Sequence, residues 1–129
     1  MEVVIEIPAG SFVKTAEREG RLVREFISPL PSLFNYGYAV GIQGADGMPQ
    51  DVVVLGPQLR RGQHVLVERV AVVRFSDRGL RDDKWVARVD TRPPSLWERT
   101  VLILFFTVYA AFKRLRYGGA GCRFEGLET

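Results

Sequence analysis

The change of hydrophobic period at Pro93-Pro94 constrains this chain more than any other feature. Before it, apolar residues come in short, β-branched runs separated by Gly, Pro and Asp. After it, they recur at helical spacing. Val3 to Ile7, an apolar β-branched run interrupted by the acidic Glu6, reads as a strand, and Pro8-Ala9-Gly10-Ser11 turns the chain. Arg21 to Ile27 is a second strand, followed by an irregular segment at Pro29 and Pro31, because proline lacks the N–H that a central strand needs. Gly44 to Pro49 is a polar loop leading into Val52 to Leu55, a continuously apolar strand of the kind buried on both faces. Val65 to Phe75 is a further β-branched run, Asp77 to Asp83 a charged loop, and Trp85 to Val89 another strand.

Ser95-Leu96-Trp97-Glu98 then fits a capping box, a hydroxyl at the N-cap and a glutamate three residues on. Trp97, Val101, Leu104, Phe105, Val108, Phe112 and Leu115 follow as an apolar stripe. Lys113, Arg114 and Arg116 stand where the helix dipole favours cations, and Gly118-Gly119 ends the helix. Ile103, Phe106, Ala110 and Ala111 make a second apolar face. A helix apolar on two sides packs on the β region and on another subunit. The expected fold is mainly β with α: one domain over residues 1–129, a small closed barrel with a C-terminal helix on its wall.

Several function classes drop out. Cys122 is the only cysteine and His64 the only histidine, which excludes a disulfide framework, a thiolate zinc site and a site of several imidazoles. The net charge of +3 is too mild to demand nucleic acid, and no stripe of aromatics interleaved with basic residues supports an oligonucleotide-binding barrel. The longest apolar run, Val101 to Phe112, has 12 residues, short of the ~20 a bilayer-spanning helix needs. No secretory signal opens the chain, so a cytoplasmic setting without membrane contact is expected.

The aspartates carry the functional signal. Asp46 and Asp51 flank the loop before Val52, and Asp77 and Asp82 bracket the loop before Lys84. Both loops enter strands, which brings them to one end of a barrel. Carboxylates converging there repel unless neutralised. Oxygen-only ligation selects Mg²⁺, Mn²⁺ or Ca²⁺. The competing reading, that these are solvated turn residues, stays open from spacing alone. Lys14, Arg24, Tyr36 and Lys84 are cations and a phenol of the kind a phosphate-handling site needs beside metals, although each taken alone reads as a surface residue.

In this order the motifs resemble the family I, soluble, Mg²⁺-dependent inorganic pyrophosphatases. The matching pieces are Val4-Ile5-Glu6-Ile7-Pro8, Lys14, Asn35-Tyr36-Gly37-Tyr38, Asp46-Gly47-Met48-Pro49-Gln50-Asp51-Val52, Asp77 through Asp82-Asp83-Lys84, and Phe105-Phe106-Thr107-Val108-Tyr109. The resemblance implies a five-stranded, OB-like closed barrel with the helix packed on it. It implies that Asp46, Asp51 and Asp82 hold activating Mg²⁺, with Mn²⁺ as a substitute, and that Asp77 and Glu6 serve further metals or their waters. It implies that Lys14, Arg24, Tyr36, Lys84 and Tyr109 contact the phosphates of pyrophosphate. It also implies assembly into a homo-oligomer, a dimer or hexamer. The reaction would be hydrolysis to two phosphates by a metal-activated water.

The chain departs from the family pattern at several points. Met48 stands where the family has a third aspartate beside the attacking water, and a thioether accepts no proton. Ala16 replaces a glutamate, with Glu17 next to it, and Ala110 replaces a lysine after Tyr109. Ser32-Leu33 replaces an aromatic-proline pair, the stretch from Lys84 to the helix is short, and the family's lead-in before the first strand is missing. Lys113, one turn beyond Tyr109 on the same face, can deliver the lost charge. Loss of a general base costs about 10²–10⁴-fold, so reduced activity is expected. The alternative is an inactive relative that binds phosphate-containing ligands or a partner subunit. Cys122 is expected to be a small, partly buried hydrophobe, His64 a surface residue at a strand start, and Trp85 and Trp97 core residues.

Overall fold

Strand β1 (Glu2–Ile7) pairs antiparallel with β4 (Asn35–Gln43) on one side and with β6 (His64–Leu66) on the other. Next to β4 lies β5 (Pro49–Val54), antiparallel to it and parallel to β9 (Lys84–Arg88). Strand β7 (Glu68–Asp77) joins β9 antiparallel and carries β10 (Arg123–Glu128) and the short β8 (Leu80–Arg81). A separate two-stranded sheet holds β2 (Val13–Arg18) and β3 (Arg21–Ile27). This computed structural model describes residues 1–27, 32–116 and 121–129, without the side chains of residues 16, 17, 25–27 and 116. Pro29, Pro31 and Gly118-Gly119 lie outside the described residues.

Residues 64–77 leave strand geometry only at Val67, whose N–H and carbonyl bond Met1. The first part of this stretch borders β1 and the rest borders β9. One continuous segment therefore meets both ends of the β1–β4–β5–β9 order and curls the sheet. Those five members correspond to the expected barrel strands. The apolar run Val52-Val53-Val54 lies at its centre, fully buried, as a parallel-paired strand covered on both sides should be. Val52 and Val54 pack with Val3, Ile5 and Ala87 on one face. Val53 and Val86 pack on the other with Phe75 and with Leu102, Phe106 and Ala110 of helix α1 (Leu96–Arg116).

The capping box forms as expected: Ser95 N–H donates to Glu98 Oε1 at 2.9 Å, and Glu98 N–H donates to Ser95 Oγ at 3.1 Å. Glu98 also pairs with buried Arg88, which ties the start of α1 to β9.

The structure decides which of the two apolar faces of the helix meets the sheet, a choice that the sequence leaves open. The stripe through Leu104, Val108, Phe112 and Leu115 is exposed, while Leu102, Phe106 and Ala110 are buried. Two apolar faces on one helix leave the period unable to say which one the sheet takes. Trp97, expected in the core, is 75% exposed on the same outer side. Strands β2 and β10 carry no clean apolar alternation. Strand β2 lies in an isolated hairpin, and a bulge between Phe124 and Gly126 shifts the phase of β10.

Candidate functional site

The parallel register Val52↔Trp85 places the residues just before each, Asp51 and Lys84, at the same level of adjacent strands. Both share the helix-facing side of the sheet with Val53 and Val86, two residues further on. Lys84 Nζ donates to Asp51 Oδ2 at 2.7 Å and to Asp82 Oδ2 at 2.8 Å. The lysine is only 3% exposed. Tyr36 lies across from Val53 on β4, and its side chain hydrogen-bonds Asp51. The next residue must be glycine, because a Cβ on Gly37 would sit 2.0 Å from the Val4 carbonyl oxygen of β1.

Asp46 lines the same cleft from the β4–β5 loop, with Gln50, Asp51, Asp82 and Asp83. Its Oδ1 accepts the Met48 N–H at 3.0 Å. Met48 itself is 56% exposed. Gln50, which sequence reasoning passed over as a loop residue, is buried and staples the two acidic loops together. Its Nε2 donates to the Asp83 carbonyl at 2.7 Å and to the Asp51 carbonyl at 3.0 Å. Nothing in its sequence neighbourhood announces that role. Asp83 is structural: it accepts Phe75 N–H at 3.0 Å, Arg74 at 2.7 Å and Arg81 at 2.9 Å.

The charges in this cleft do not balance. Burial pushes the Asp82 carboxyl above its usual range, and Asp51 and Asp46 push the same way against the pull of Lys84. Burial also works against charge on Lys84, but Asp51 and Asp82 override it and raise its pKa, so it stays an ammonium. Burial, then Asp51, hold the Tyr36 phenol well above its ordinary value, so it remains a neutral donor. Among the described residues, Asp51 and Asp82 thus share one ammonium, and Asp46 adds a further carboxylate acting on Asp82.

The other expected residues distribute unevenly. Asp77 pairs with Lys113 Nζ at 2.8 Å, accepts the Cys122 thiol at 3.0 Å, and lies 3.7 Å from Arg78 Nε. The hydrogen bond from Lys113 leads in holding the Asp77 carboxyl below its usual range. Cys122 is buried, as expected of a small hydrophobe. Lys113 does share a face with Tyr109, its amine 5.4 Å from the ring centroid. Tyr109 packs on Phe75 with ring centroids 5.8 Å apart, and Lys84 Nζ lies 5.6 Å from the Phe75 ring centroid, linking the two groups of residues.

Glu6 is buried in β1, beside the bulge where that strand meets Tyr36 and Gly37. Lys14 and Arg24 are on the β2–β3 hairpin. Lys14 pairs with Phe26, and exposed Arg24 pairs with Thr15 across a bulge. Lys14 Nζ donates to the Ser11 carbonyl at 3.0 Å.

Among the described residues, no three His, Cys, Asp or Glu side chains stand ready to enclose a metal ion. In the cleft Lys84 fills the gap between Asp51 and Asp82. The donor set of Asp46, Asp51 and Asp82 is nonetheless oxygen-only and short of positive charge, which is the chemistry a hard divalent cation fits.

Comparison with known proteins gives a consistent result. The Pyrophosphatase family, described as inorganic pyrophosphatase, matches residues 3–101. An inorganic pyrophosphatase of Gluconobacter oxydans is 34% identical over 89 residues, 65% of this chain and 51% of that protein. The chain thus spans about half the length of that relative. The Helicobacter pylori inorganic pyrophosphatase superposes with a TM-score of 0.82 at 25% identity, covering 100% of this chain and 84% of that one. The Thermus thermophilus enzyme superposes with a TM-score of 0.84 at 22% identity, covering 99% and 81%, which speaks to fold.

Proposed function

Because this chain belongs to the inorganic pyrophosphatase family, we propose that it hydrolyses inorganic pyrophosphate to two phosphates with the help of Mg²⁺, for which Mn²⁺ can substitute. The observation that carries this reading is the cleft lined by Asp46, Asp51 and Asp82, where Asp51 and Asp82 share the ammonium of Lys84. Such a deficit of positive charge is relieved by divalent cations held on those carboxylates. Glu6 and Asp77 serve further metals or their waters, Asp77 least, since Lys113 already occupies it. Bound there, the metal supplies an acidified water and screens the phosphate charge.

The chain's own groups do the rest. Lys84, kept protonated and buried, offers a fixed positive charge to the anion. Tyr36, kept neutral, donates its phenolic hydrogen. Tyr109 and Lys113 extend this donor surface along α1, and Lys14 and Arg24 bring cations from the hairpin. Such preorganised donors lower the barrier by stabilising charge as the anhydride breaks. Met48 offers no carboxylate to take a proton, so turnover is reduced relative to a site with an aspartate there.

The same exposed methionine favours a second reading, an inactive relative that binds phosphate-containing ligands or a partner subunit. Phosphate release from pyrophosphate with Mg²⁺, above that of Asp51→Asn, supports the enzyme. Release no greater than that control refutes it. The exposed stripe on α1 supports a homo-oligomer, a dimer or hexamer. No helix among the described residues is long and apolar enough to cross a membrane. We place the protein in the cytoplasm, without a nucleic-acid partner.

A further inference from the structure

The β2–β3 hairpin is a sheet of its own, so no backbone ladder fixes it to the main sheet. Among the described residues, Arg61, in the loop between β5 and β6, makes four hydrogen bonds to the turn, β2 and the end of β1. Arg61 Nη1 donates to the Glu6 carbonyl and to Thr15 Oγ1, each at 2.7 Å. Arg61 Nη2 donates to Ser11 Oγ at 2.7 Å and to the Val13 carbonyl at 2.9 Å. Thr15 Oγ1 itself donates to the Glu6 carbonyl.

The loop that presents Arg61 is pinned in turn. Gly62 N–H donates to the Ile5 carbonyl at 2.7 Å, and Ile5 N–H donates to the Gln63 carbonyl at 3.0 Å. The loop also abuts the hairpin, since a Cβ on Gly62 would lie 3.8 Å from Leu22 Cδ1.

The acceptors of Arg61 span the end of β1, the turn and the start of β2. They enclose Lys14, whose neighbours Val13 and Thr15 are both held. A guanidinium presents two nitrogens in a rigid plane and can grip four acceptors at once, which a lysine ammonium on a flexible stem does not reproduce. We propose that Arg61 is a positioning residue that sets the β1–β2 corner and, through it, the place of the Lys14 ammonium for pyrophosphate. This rests on the reading of Lys14 as a phosphate contact.

The test is a double-mutant cycle on the full chain, with kcat and KM for Mg²⁺-pyrophosphate as the readout. Arg61→Gln and Lys14→Gln each lower kcat/KM by about tenfold, mainly through KM, and the pair together lowers it no further than Lys14→Gln alone. Arg61→Lys, which keeps charge without the fork, recovers little. Losses that multiply in the double variant, or full recovery by Arg61→Lys, overturn the proposal. If circular dichroism shows Arg61→Gln unfolded, Arg61→Lys replaces it in the cycle, with the same non-multiplying loss expected. Wild-type protein that releases no phosphate refutes the pyrophosphatase reading and this inference with it. Wild-type turnover with multiplying losses refutes only the role of Arg61.

Discussion

Asp82 and Asp77 stand five residues apart in one segment, and the protein treats them in opposite ways. Asp77 has a counter-ion of its own: Lys113 at 2.8 Å, with the Cys122 thiol on its other oxygen. Its carboxyl is held below the usual range. Asp82 shares Lys84 with Asp51, lies half-buried in the cleft that Asp46 also lines, and is pushed above that range. A carboxylate whose charge is already met has little to gain from a cation. One whose charge is unmet has much to gain. The contrast is why we propose cation binding at the cleft of Asp46, Asp51 and Asp82 ahead of Asp77.

The largest expected effect breaks the under-neutralised side. Asp51→Asn lowers phosphate release from pyrophosphate by at least about 100-fold, while Asp77→Asn lowers it only a few-fold. Equal losses would erase the distinction. Next comes a gain. Met48→Asp adds a proton acceptor at the loop tip and raises kcat, with the roughly 10²–10⁴-fold weight of a general base as the ceiling. An unchanged or lower kcat would show that the missing aspartate does not limit the reaction.

Stability without metal sharpens the same comparison at smaller amplitude. Asp77 has a folded-state pKa below its unfolded value. Its contribution is therefore complete above the ordinary carboxylate range and disappears as pH falls through the lowered folded value. Asp82 has a raised folded-state pKa. Its contribution is present below the ordinary value and is lost as pH rises through the raised one. At neutral pH, thermal melts in chelator should show Asp77→Asn destabilised by about 1 kcal/mol, the worth of one hydrogen-bonded partner. Asp82→Asn should be neutral or stabilised. Melts in the reverse order would contradict the assignment.

Much of this was legible in the sequence for identifiable reasons. Val52 to Val54 advertised a central strand because covering both faces leaves no place for polar residues. Ser95 and Glu98 advertised the helix start because their bonds are local. Asp46, Asp51, Asp77 and Asp82 were readable as the acids of two loops that enter strands, and the parallel register Val52↔Trp85 then aligns those strands. What stayed hidden depends on long-range contact. Gln50 bonds the Asp83 carbonyl 33 residues away, and Arg61 holds Glu6 from 55 residues away. Which face of α1 is buried could not be read because both of its faces are apolar. Asp77 was grouped with the other acids because nothing local reveals that Lys113, a full strand-and-helix later, claims it.

The most direct test is the melting temperature with and without excess Mg²⁺, compared across wild type, Asp82→Asn and Asp77→Asn. A ligand at 100 times its Kd adds about 2.7 kcal/mol to stability. The account predicts a clear rise for wild type and Asp77→Asn, and a much smaller rise for Asp82→Asn. It is contradicted if Mg²⁺ leaves the wild-type melt unmoved, or if Asp82→Asn gains as much as wild type.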